Sequence, residues 1–526
     1  MRPPTWNPPR ELSPQEQMVA KRIRKAKLFL FLRQIRHLLF DEQFQQELAG
    51  LLFKDSTMGK CPVPPAQLAL FIIVQAYTGV SDDEALEAMV MDRRWQLLLD
   101  CIDCEQAPFG KGTLVRFRAA LIAAGGDRRL VERTIEIAQK TKGYNESSLR
   151  VALDSSPLWG AARVEDTYNL LGHALKKALA VIAKKSHQDL GQVAQDAGAE
   201  IVANSSLKAA LDLDWDDPNA RIQALTTILQ ALNQVEAWIE EQSHLDESTT
   251  ELVEKSLTDA RHIQEQDVEV GEDGCPKLRR GVAPNRRITI EDDQMRHGRK
   301  SRSQRFDGYK RHVLKDLNLG IVRAVGITPA NRPEASVTES LALDLESQQV
   351  TLEELHIDRA YLTSHWVKER SPELKIICKS WRVRNGKYFE KVAFNLDWEN
   401  HLIGCPNGIN IPFIEGKTVR FPQQQCQVCP LHSQCTASPK GRTISVHPDE
   451  SLLHELRQRQ TTSSGRQKLR ERVSVEHTLS HIGQWQGKQA RYLGIRKNLF
   501  DLRRMAVVHN LHILAQLFIQ HQQISV

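Results

Sequence analysis

Two aspartates directly follow short β-type runs, a position where a carboxylate can face a crevice. Asp154 comes after residues 149–153 and Asp358 comes after residues 352–357. Active sites of α/β sheets collect at the carboxyl ends of strands. If the two strands are neighbours, the carboxylates can share a hard cation such as Mg²⁺, which takes oxygen ligands. A third acid would come from a helix beside the sheet, and Glu476 is the best candidate.

The same acids also have a purely structural interpretation. The two aspartates could cap strand ends, and Glu476 could form a surface i,i+4 pair with Arg472. Two such aspartates followed by a glutamate on a basic-flanked helix, in that order, are more specific than any one of them alone. The residues by themselves leave both interpretations open.

Four cysteines form the pattern C-x20-C-x2-C-x5-C in a stretch rich in Gly and Pro: Cys405, Cys426, Cys429 and Cys435. Zinc takes four soft ligands in a tetrahedron, and a C-x2-C turn supplies two of them. A stretch with few apolar residues also gains stability from a metal. We therefore expect a structural Zn²⁺, with His432 able to replace one cysteine. The alternative is four ordinary reduced cysteines.

Charge is distributed unevenly along the chain. Residues 281–330 carry 11 Lys/Arg against 5 Asp/Glu, residues 451–526 carry 12 against 4, and residues 211–270 carry 3 against 15. This pattern favours a polyanionic partner and an acidic segment held away from it, although solvated surface is the alternative. Lys and Arg neutralise phosphates and release counterions. The candidate DNA-binding residues are Arg296, Arg299, Lys300, Arg302, Arg305, Arg466, Lys468, Arg470, Arg472 and Lys488.

The N-terminal part carries helix signals. An apolar run at residues 66–77 ends at Gly79, a typical C-cap. Ser81 and Glu84 have the capping-box spacing and predict a helix to about Leu99. Short helices joined by tight turns fit a helix-turn-helix-like module or a generic bundle.

The strand signals fall in three separated pieces, which predicts an α/β domain interrupted twice. Between them, apolar residues recur every three or four positions in residues 222–239, as in an amphipathic helix. The basic stretch at residues 296–305 has few apolar residues and is predicted to be a loop or arm. We expect four domains. Residues 1–148 form a helical, DNA-binding domain, and residues 149–164, 285–385 and 461–526 together form the catalytic domain. Residues 165–284 form an acidic helical insert, and residues 386–460 form a Cys-rich insert.

Length and composition exclude several classes of protein. The chain has 526 residues, 41% hydrophobic and 26% charged, which predicts about two to four folded units rather than disorder. The N-terminus lacks the apolar region of a signal peptide. The longest apolar run, residues 505–519, is too short and polar to span a bilayer. We therefore expect a cytoplasmic protein with reduced cysteines and no membrane partner.

Several segments together resemble the DDE transposases of bacterial insertion sequences. ALDSSPLWG, LHIDRAYLTS and RVSVEHTLSHIGQW resemble the segments that carry the three acids, while FDGYKRHVLKD and GITPANRPEAS resemble the strands between the first two. LALFIIVQAYTGVSDDEALEAM and GTLVRFRAAL resemble the helical domain that precedes the core. The resemblance covers most of the chain apart from about residues 165–280.

The resemblance implies an α/β fold with an RNase H-like core, a mixed sheet flanked by helices, joined to a helical N-terminal domain, a helical insert and a small Cys-rich β insert. It implies that Asp154, Asp358 and Glu476 hold two Mg²⁺ or Mn²⁺ ions, which cleave DNA at element ends and join it to target DNA. The implied partners are double-stranded DNA, namely terminal inverted repeats and target DNA, and a second copy of the chain when DNA is bound, in a nucleoid-associated complex. The alternatives are a catalytically silent DNA-binding protein and a nuclease that cuts without joining.

The chain departs from the family pattern near the final acid. Many relatives carry a Tyr, Arg, Glu, Lys signature there, and Arg472 and Glu476 match its centre. Leu469 stands at the tyrosine position and Gly483 at the lysine position. Lys488 is the lysine that could serve instead.

Overall fold

The computed structural model describes residues 3–53, 61–142, 147–204, 206–242, 245–381 and 383–520. The strands are β1 Ser148–Trp159, β2 Val268–Val270, β3 Pro276–Leu278, β4 Arg296–Arg299, β5 Arg305–Asp316, β6 Val322–Pro329, β7 Thr351–Ile357, β8 Lys375–Cys378, β9 Asn395–Asp397, β10 Leu402–Gly404, β11 Asn410–Pro412, β12 Thr418–Arg420 and β13 Thr443–Ser445. In the described part of the chain, no helix is long and apolar enough to cross a membrane.

The α-helices precede, interrupt and follow these strands. They are α1 Pro14–Arg22, α2 Lys27–Leu39, α3 Glu42–Leu52, α4 Pro65–Thr78, α5 Asp82–Met91, α6 Arg93–Leu99, α7 Lys111–Ala123, α8 Gly126–Lys142, α9 Thr167–Ser186, α10 Leu190–Asp196, α11 Leu207–Leu211, α12 Pro218–Glu240, α13 Glu247–Asp267, α14 Thr338–Ser347, α15 His365–Lys368, α16 Gln423–Gln427, α17 His432–Cys435, α18 Glu450–Thr461, α19 Ser463–Glu471, α20 Val473–Gln486 and α21 Ile495–Gln520. Short 3-10 helices lie at Glu200–Val202, Glu334–Val337, Arg359–Tyr361 and Lys391–Ala393.

The N-terminal helix signals are largely confirmed. Gly79 ends α4 in the left-handed conformation, with φ 75°, and Ser81 and Glu84 form the capping box of α5. The prediction of one helix from Ser81 to about Leu99 was wrong. The backbone is extended at Asp92, whose carboxylate accepts a hydrogen bond from the N–H of Arg94 and so starts α6 as a second helix.

Within the described residues, six strands form one mixed sheet in the order β4–β5–β1–β7–β8, and β6 also pairs with β5. Strand β5 runs antiparallel to β1, β4 and β6. Strand β7 runs parallel to β1, and β8 parallel to β7. This mixed sheet with flanking helices is compatible with an RNase H-like core.

Helices cover both faces of the sheet. One hydrophobic cluster joins Leu149, Val151 and Leu153 of β1 to α14 and α18. Ala152 belongs to a second cluster, which contains α20, α21 and the N-terminal helices α2, α4 and α8. Because successive strand residues point to opposite faces, Asp154 faces the α20 side with Ala152. The N-terminal helices and the sheet therefore share one core.

The two interruptions of the sheet each have a core of their own. Helices α9 to α13 bury a separate cluster that includes Leu171, Leu175, Ile228 and Leu232. The amphipathic stripe predicted for residues 222–239 is confirmed as the buried face of α12. Strands β9 to β13, with α16 and α17, surround a small cluster of mainly aromatic and branched side chains.

Two local predictions were wrong. β1 does not end at Asp154 but continues to Trp159, because β5 pairs with it over residues 151–159 while the pairing with β7 ends at Ala152. The basic stretch is not a loop or arm but a β-hairpin, in which β4 pairs with the start of β5. Backbone hydrogen bonds can stabilise this hairpin without apolar side chains.

Candidate active site

The parallel pairing of β1 and β7 brings the two aspartates to the same level of the sheet. Ala152 pairs with His356, and two residues further the same register aligns Asp154 with Asp358. β7 has ended there, and the Asp358 carboxylate accepts a hydrogen bond from the N–H of Arg359. Both aspartates line one open cleft with a volume of about 710 Å³.

Glu476 reaches the same cleft from the first turn of α20. Arg472, at the junction of α19 and α20, connects it to the sheet. Its Nη1 donates to Asp154 Oδ2 at 2.7 Å, and its Nη2 donates to Glu476 Oε1 at 2.6 Å. The Glu476 side chain is 47% exposed and that of Asp154 only 15%. The i,i+4 pair between Arg472 and Glu476 that the structural interpretation predicts is therefore present. Arg472 also pairs with Asp154 on β1.

Burial raises the pKa of Asp154 above its usual value, and the negative charge of Glu476 adds to this effect. The positive charge of Arg472 and the N–H of Ser155 oppose it by favouring the ionised carboxylate. A bound divalent cation would act on Asp154 in the same direction as Arg472.

The structure places a fourth acid, Glu334, in this cleft. It begins the 3-10 helix after β6, and burial raises its pKa, with Asp154 and Asp358 contributing and Lys310 opposing. Sequence reasoning missed it because it follows the end of β6 by five residues. Its location within a segment already quoted for the family resemblance was the available signal.

Carboxylate oxygens are the ligands that Mg²⁺ prefers, so the acids lining the cleft fit a hard divalent cation by type. Among the described residues, however, the group whose ligand atoms all lie within 4.8 Å of one another is Glu354, His356 and Glu471. Arg150 and Lys468 already balance the carboxylates of that group. We interpret it as an ion-pair network rather than a metal site.

Four of the predicted DNA-binding residues line the cleft with the acids: Arg299, Lys300, Arg472 and Lys488. Gly483, which stands at the lysine position of the family signature, also lines the cleft. Lys488 therefore lies in the same cleft as the position whose lysine it would replace. Leu469 lines an adjoining pocket together with Asp358 and Arg472.

The other predicted DNA-binding residues lie outside the cleft. Arg466 and Arg470 line the adjoining pocket, and Arg302 and Arg305 are exposed on the β4–β5 hairpin. Arg296 is half-buried, and its Nε donates to Asn285 Oδ1 at 3.0 Å. The Lys468 ammonium lies 2.6 Å from the carboxylate of Glu354, so it has a protein partner already.

The four predicted zinc ligands line one small cavity of about 20 Å³, together with His432. Burial raises the pKa of Cys435, and the other three cysteines contribute to this rise. The donor types fit zinc. In the described residues, no three of these sulfur atoms lie all within 4.8 Å of one another, so the cluster is looser than a closed tetrahedral site.

Comparisons with known proteins match two parts of the chain. A family model described as "Transposase DDE domain" matches residues 405–515, which include Glu476 and the four cysteines. A model described as "Transposase domain (DUF772)" matches residues 17–120. Asp154 and Asp358 lie outside both segments. No match was found among curated proteins or among solved structures. The two family matches, one in each half of the chain, support an insertion-sequence DDE transposase.

Proposed function

We propose that this transposase cleaves DNA at the ends of a mobile element and transfers the freed strands into target DNA, with Asp154, Asp358 and Glu476 holding two Mg²⁺ or Mn²⁺ ions. The observation that carries the proposal is the meeting of these three acids in one cleft, the first two by strand register and the third through Arg472.

The ions would supply activation of the attacking oxygen and stabilisation of the leaving oxygen in an in-line displacement at phosphorus. The protein's part is to orient the carboxylates and to hold the DNA. Asp154 is fixed by the N–H of Ser155 at 2.8 Å and by Arg472. Arg299, Lys300 and Lys488 line the same cleft, where their charges favour phosphate groups.

The proposed division of labour follows the predicted domains. Residues 1–148 would bind DNA, and the segments 149–164, 285–385 and 461–526 would form the catalytic core. Residues 386–460 would be stabilised by a structural Zn²⁺. We further propose that a homodimer assembles on terminal inverted repeats, because two element ends must be joined to one target.

The test uses purified protein with labelled element-end duplexes and Mg²⁺ or Mn²⁺. We expect Asp154→Asn, Asp358→Asn and Glu476→Gln each to reduce strand cleavage by at least about 10³-fold, as for loss of a group central to catalysis, while gel-shift binding persists. Glu339→Gln, an exposed acid on α14, is the matched control and should cleave normally.

The alternative functions give different results in the same assay. A catalytically silent DNA-binding protein would shift the duplex and leave it uncut. A nuclease would cut it without producing joined products when target DNA is added. Near-normal cleavage by any one of the three variants would remove that residue from the proposed site.

A further inference from the structure

We propose that Tyr361 and His312 hold Asp358 in position at the level of Asp154, through a hydrogen bond beneath the sheet. This inference rests on the proposed function, because the position matters for an acid that binds metal. Neither Tyr361 nor His312 is among the residues that line the cleft. Both are therefore positioning residues rather than ligands.

The strand pairing alone does not fix Asp358 relative to Asp154. The parallel pairing between β1 and β7 ends at Ala152 and His356, two residues before the aspartates. Beyond that point β1 continues along β5, while the chain after β7 turns into the 3-10 helix Arg359–Tyr361. The ladder that aligns the two strands therefore stops before it reaches either acid.

A buried side-chain hydrogen bond connects the two segments at this level. His312 of β5 lies directly opposite Ser155 of β1, the residue after Asp154. Its Nδ1 lies 2.8 Å from the hydroxyl of Tyr361, which ends the 3-10 helix that Asp358 caps. Neither the His312 nor the Tyr361 side chain is exposed to solvent. The hydrogen bond thus joins β5 to the turn that carries Asp358.

This contact lies on the opposite face of the sheet from the acids. Leu314 and Tyr361 belong to the same hydrophobic cluster. Because successive strand residues alternate between faces, His312 lies on the face of Leu314, whereas Asp154 faces α20. The hydrogen bond therefore passes beneath β1. It restrains the turn from below and leaves the Asp358 carboxylate free to line the cleft.

The two partners are neutral, and the backbone transmits their position to the acid. Burial raises the pKa of Tyr361 and lowers that of His312 to about 3. His312 Nε2 lies 2.9 Å from Thr328 Oγ1 on β6, so both ring nitrogens have partners. Loss of the Tyr361 hydroxyl would leave Nδ1 unpaired in the core, which is costly. The Tyr361 N–H donates to Asp358 O at 3.0 Å, so a shift of Tyr361 displaces the aspartate.

The experiment compares the full-length wild type with Tyr361→Phe and the matched control Thr328→Val. Each variant removes one hydroxyl partner of His312 at nearly constant shape, but Thr328 lies on β6, away from the turn that carries Asp358. Tyr361→Phe should raise two quantities by on the order of 10–100-fold. These are the Mg²⁺ concentration for half-maximal cleavage of an element-end duplex and the Mn²⁺ dissociation constant, measured by electron paramagnetic resonance of the free ion. Gel-shift affinity for DNA should stay unchanged.

Amide hydrogen exchange of the metal-free proteins provides a measurement that needs no activity. Exchange at residues 358–364 should be faster in Tyr361→Phe than in the wild type. Thr328→Val should keep the wild-type metal response and the wild-type exchange in this segment. Thermal unfolding verifies that each variant is folded.

The outcomes separate this inference from the proposed function. Wild-type metal affinity and exchange in folded Tyr361→Phe would overturn the inference. Equal losses in Thr328→Val would also overturn it, because general loosening of the core would then explain them. If the wild type neither binds Mn²⁺ nor cuts DNA, the proposed function is wrong, and the exchange of residues 358–364 alone decides whether Tyr361 holds the turn.

A second variant covers a failure of Tyr361→Phe to fold. His312→Gln then replaces it, because the glutamine amide can reach the position of Nε2 beside Thr328 but not that of Nδ1 beside Tyr361. Weaker Mn²⁺ binding and faster exchange at residues 358–364 are expected. Wild-type values of both in folded His312→Gln would overturn the inference.

Discussion

Arg472 separates two carboxylates that would otherwise repel each other across the cleft. Each end of its guanidinium group donates to one acid, Asp154 or Glu476. Charge-assisted hydrogen bonds of this kind are stronger than neutral ones. In the metal-free protein, Arg472 therefore provides some of the charge neutralisation that a cation would provide.

Replacing Arg472 should make the protein more responsive to metal. We expect metal-free Arg472→Ala to have a lower Tm than the wild type, because Asp154 and Glu476 lose their common positive partner. Saturating Mn²⁺ should then raise the Tm of this variant by more than it raises that of the wild type, because an ion that binds the folded state stabilises it. Differential scanning fluorimetry measures both shifts, and Arg470→Ala, an exposed arginine on the same segment, is the control. Equal Mn²⁺-induced shifts in Arg472→Ala and the wild type would contradict the idea.

At the residue scale, the sequence predicted acids that directly follow a β-type run. It missed an acid of the cleft whose position depends on how distant segments of the chain pack together. Asp154 and Asp358 were predicted because β-type runs precede them, and both side chains line the same cleft. Glu334 begins a 3-10 helix after β6, and no hydrophobic pattern around it indicates that the chain returns there to the cleft. Lys468 was predicted to bind phosphate because it lies among other basic residues in the sequence. A count of charges cannot show that its ammonium group pairs with the buried carboxylate of Glu354.

Among the elements, α19 leads directly into Arg472 and α20. Glu354 of β7 is buried and accepts from Arg150 of β1, at 2.9 Å, and from Lys468 of α19, at 2.6 Å. His356 Nε2 lies 2.6 Å from the same carboxylate. This network connects two strands to the helix that precedes the final acid, so it fixes the position of the helix relative to the aspartates.

Glu354→Gln should destabilise the protein in a pH-dependent way. Burial alone would raise the pKa of Glu354, but Lys468, His356 and Arg150 outweigh it and lower the pKa to about 2. A depressed pKa contributes stability above the unfolded-state value of about 4.3, and this contribution is lost as the pH falls towards 2. Removing one partner of a buried pair costs about 3–5 kcal/mol. The Tm deficit of Glu354→Gln should therefore be large at pH 7 and smaller at pH 3.5.

The control for this pH dependence is Glu353→Gln, since Glu353 is the exposed neighbour on the same strand. It should show little Tm change at either pH. A Glu354→Gln deficit that is equal at pH 7 and pH 3.5 would show that the ionised carboxylate is not what stabilises the junction.

The Cys-rich element gives a separate prediction. Its core is small, and a metal would substitute for missing apolar burial. We expect elemental analysis to find about one Zn²⁺ per chain and the double variant Cys426→Ser/Cys429→Ser to lose it. Residues 386–446 should then become sensitive to protease, while Cys275→Ser, outside this element, retains zinc. Metal-free protein with a protease-resistant 386–446 segment would contradict the prediction.

For the whole molecule, the main electrostatic contrast is between the basic cleft and the insert α9–α13. Residues 211–270 carry 15 acidic against 3 basic side chains, and the insert has its own hydrophobic core. The charge imbalance was readable from the sequence, as was the stripe on α12. The packing of five helices on one another was not, because periodicity identifies a buried face without identifying its partner.

Deleting the insert should not weaken non-specific DNA binding. The N–H of Glu165 donates to Ile288 O at 3.0 Å, so the start of the insert lies beside the chain that follows its end, and a Gly/Ser linker can replace residues 165–280. Arg287→Gln should accompany the deletion, because the buried Arg287 otherwise loses its partner Asp259. We expect DNA affinity at low salt to hold or rise, because repulsion between the insert and phosphates is removed.

Fluorescence anisotropy measures this affinity over a salt series, with Arg287→Gln alone as the control. Sedimentation velocity on the same samples tests whether the insert contributes to a dimer. A large loss of affinity in a folded deletion variant would mean that the insert itself contacts DNA and that the charge argument is wrong.

The packing of α21 against the N-terminal helices has a consequence for protein synthesis. Arg496 of α21 pairs with Asp127, 369 positions earlier in the chain, and Asn510 donates to Thr134 Oγ1. At about 5–20 residues per second, the ribosome needs roughly 20–75 s to travel between such partners. During that interval the apolar surfaces of α4 and α8 lack the helix that covers them. The nascent chain is therefore a natural client for chaperones, and a recombinant N-terminal fragment should stay soluble only if residues 495–520 are supplied with it.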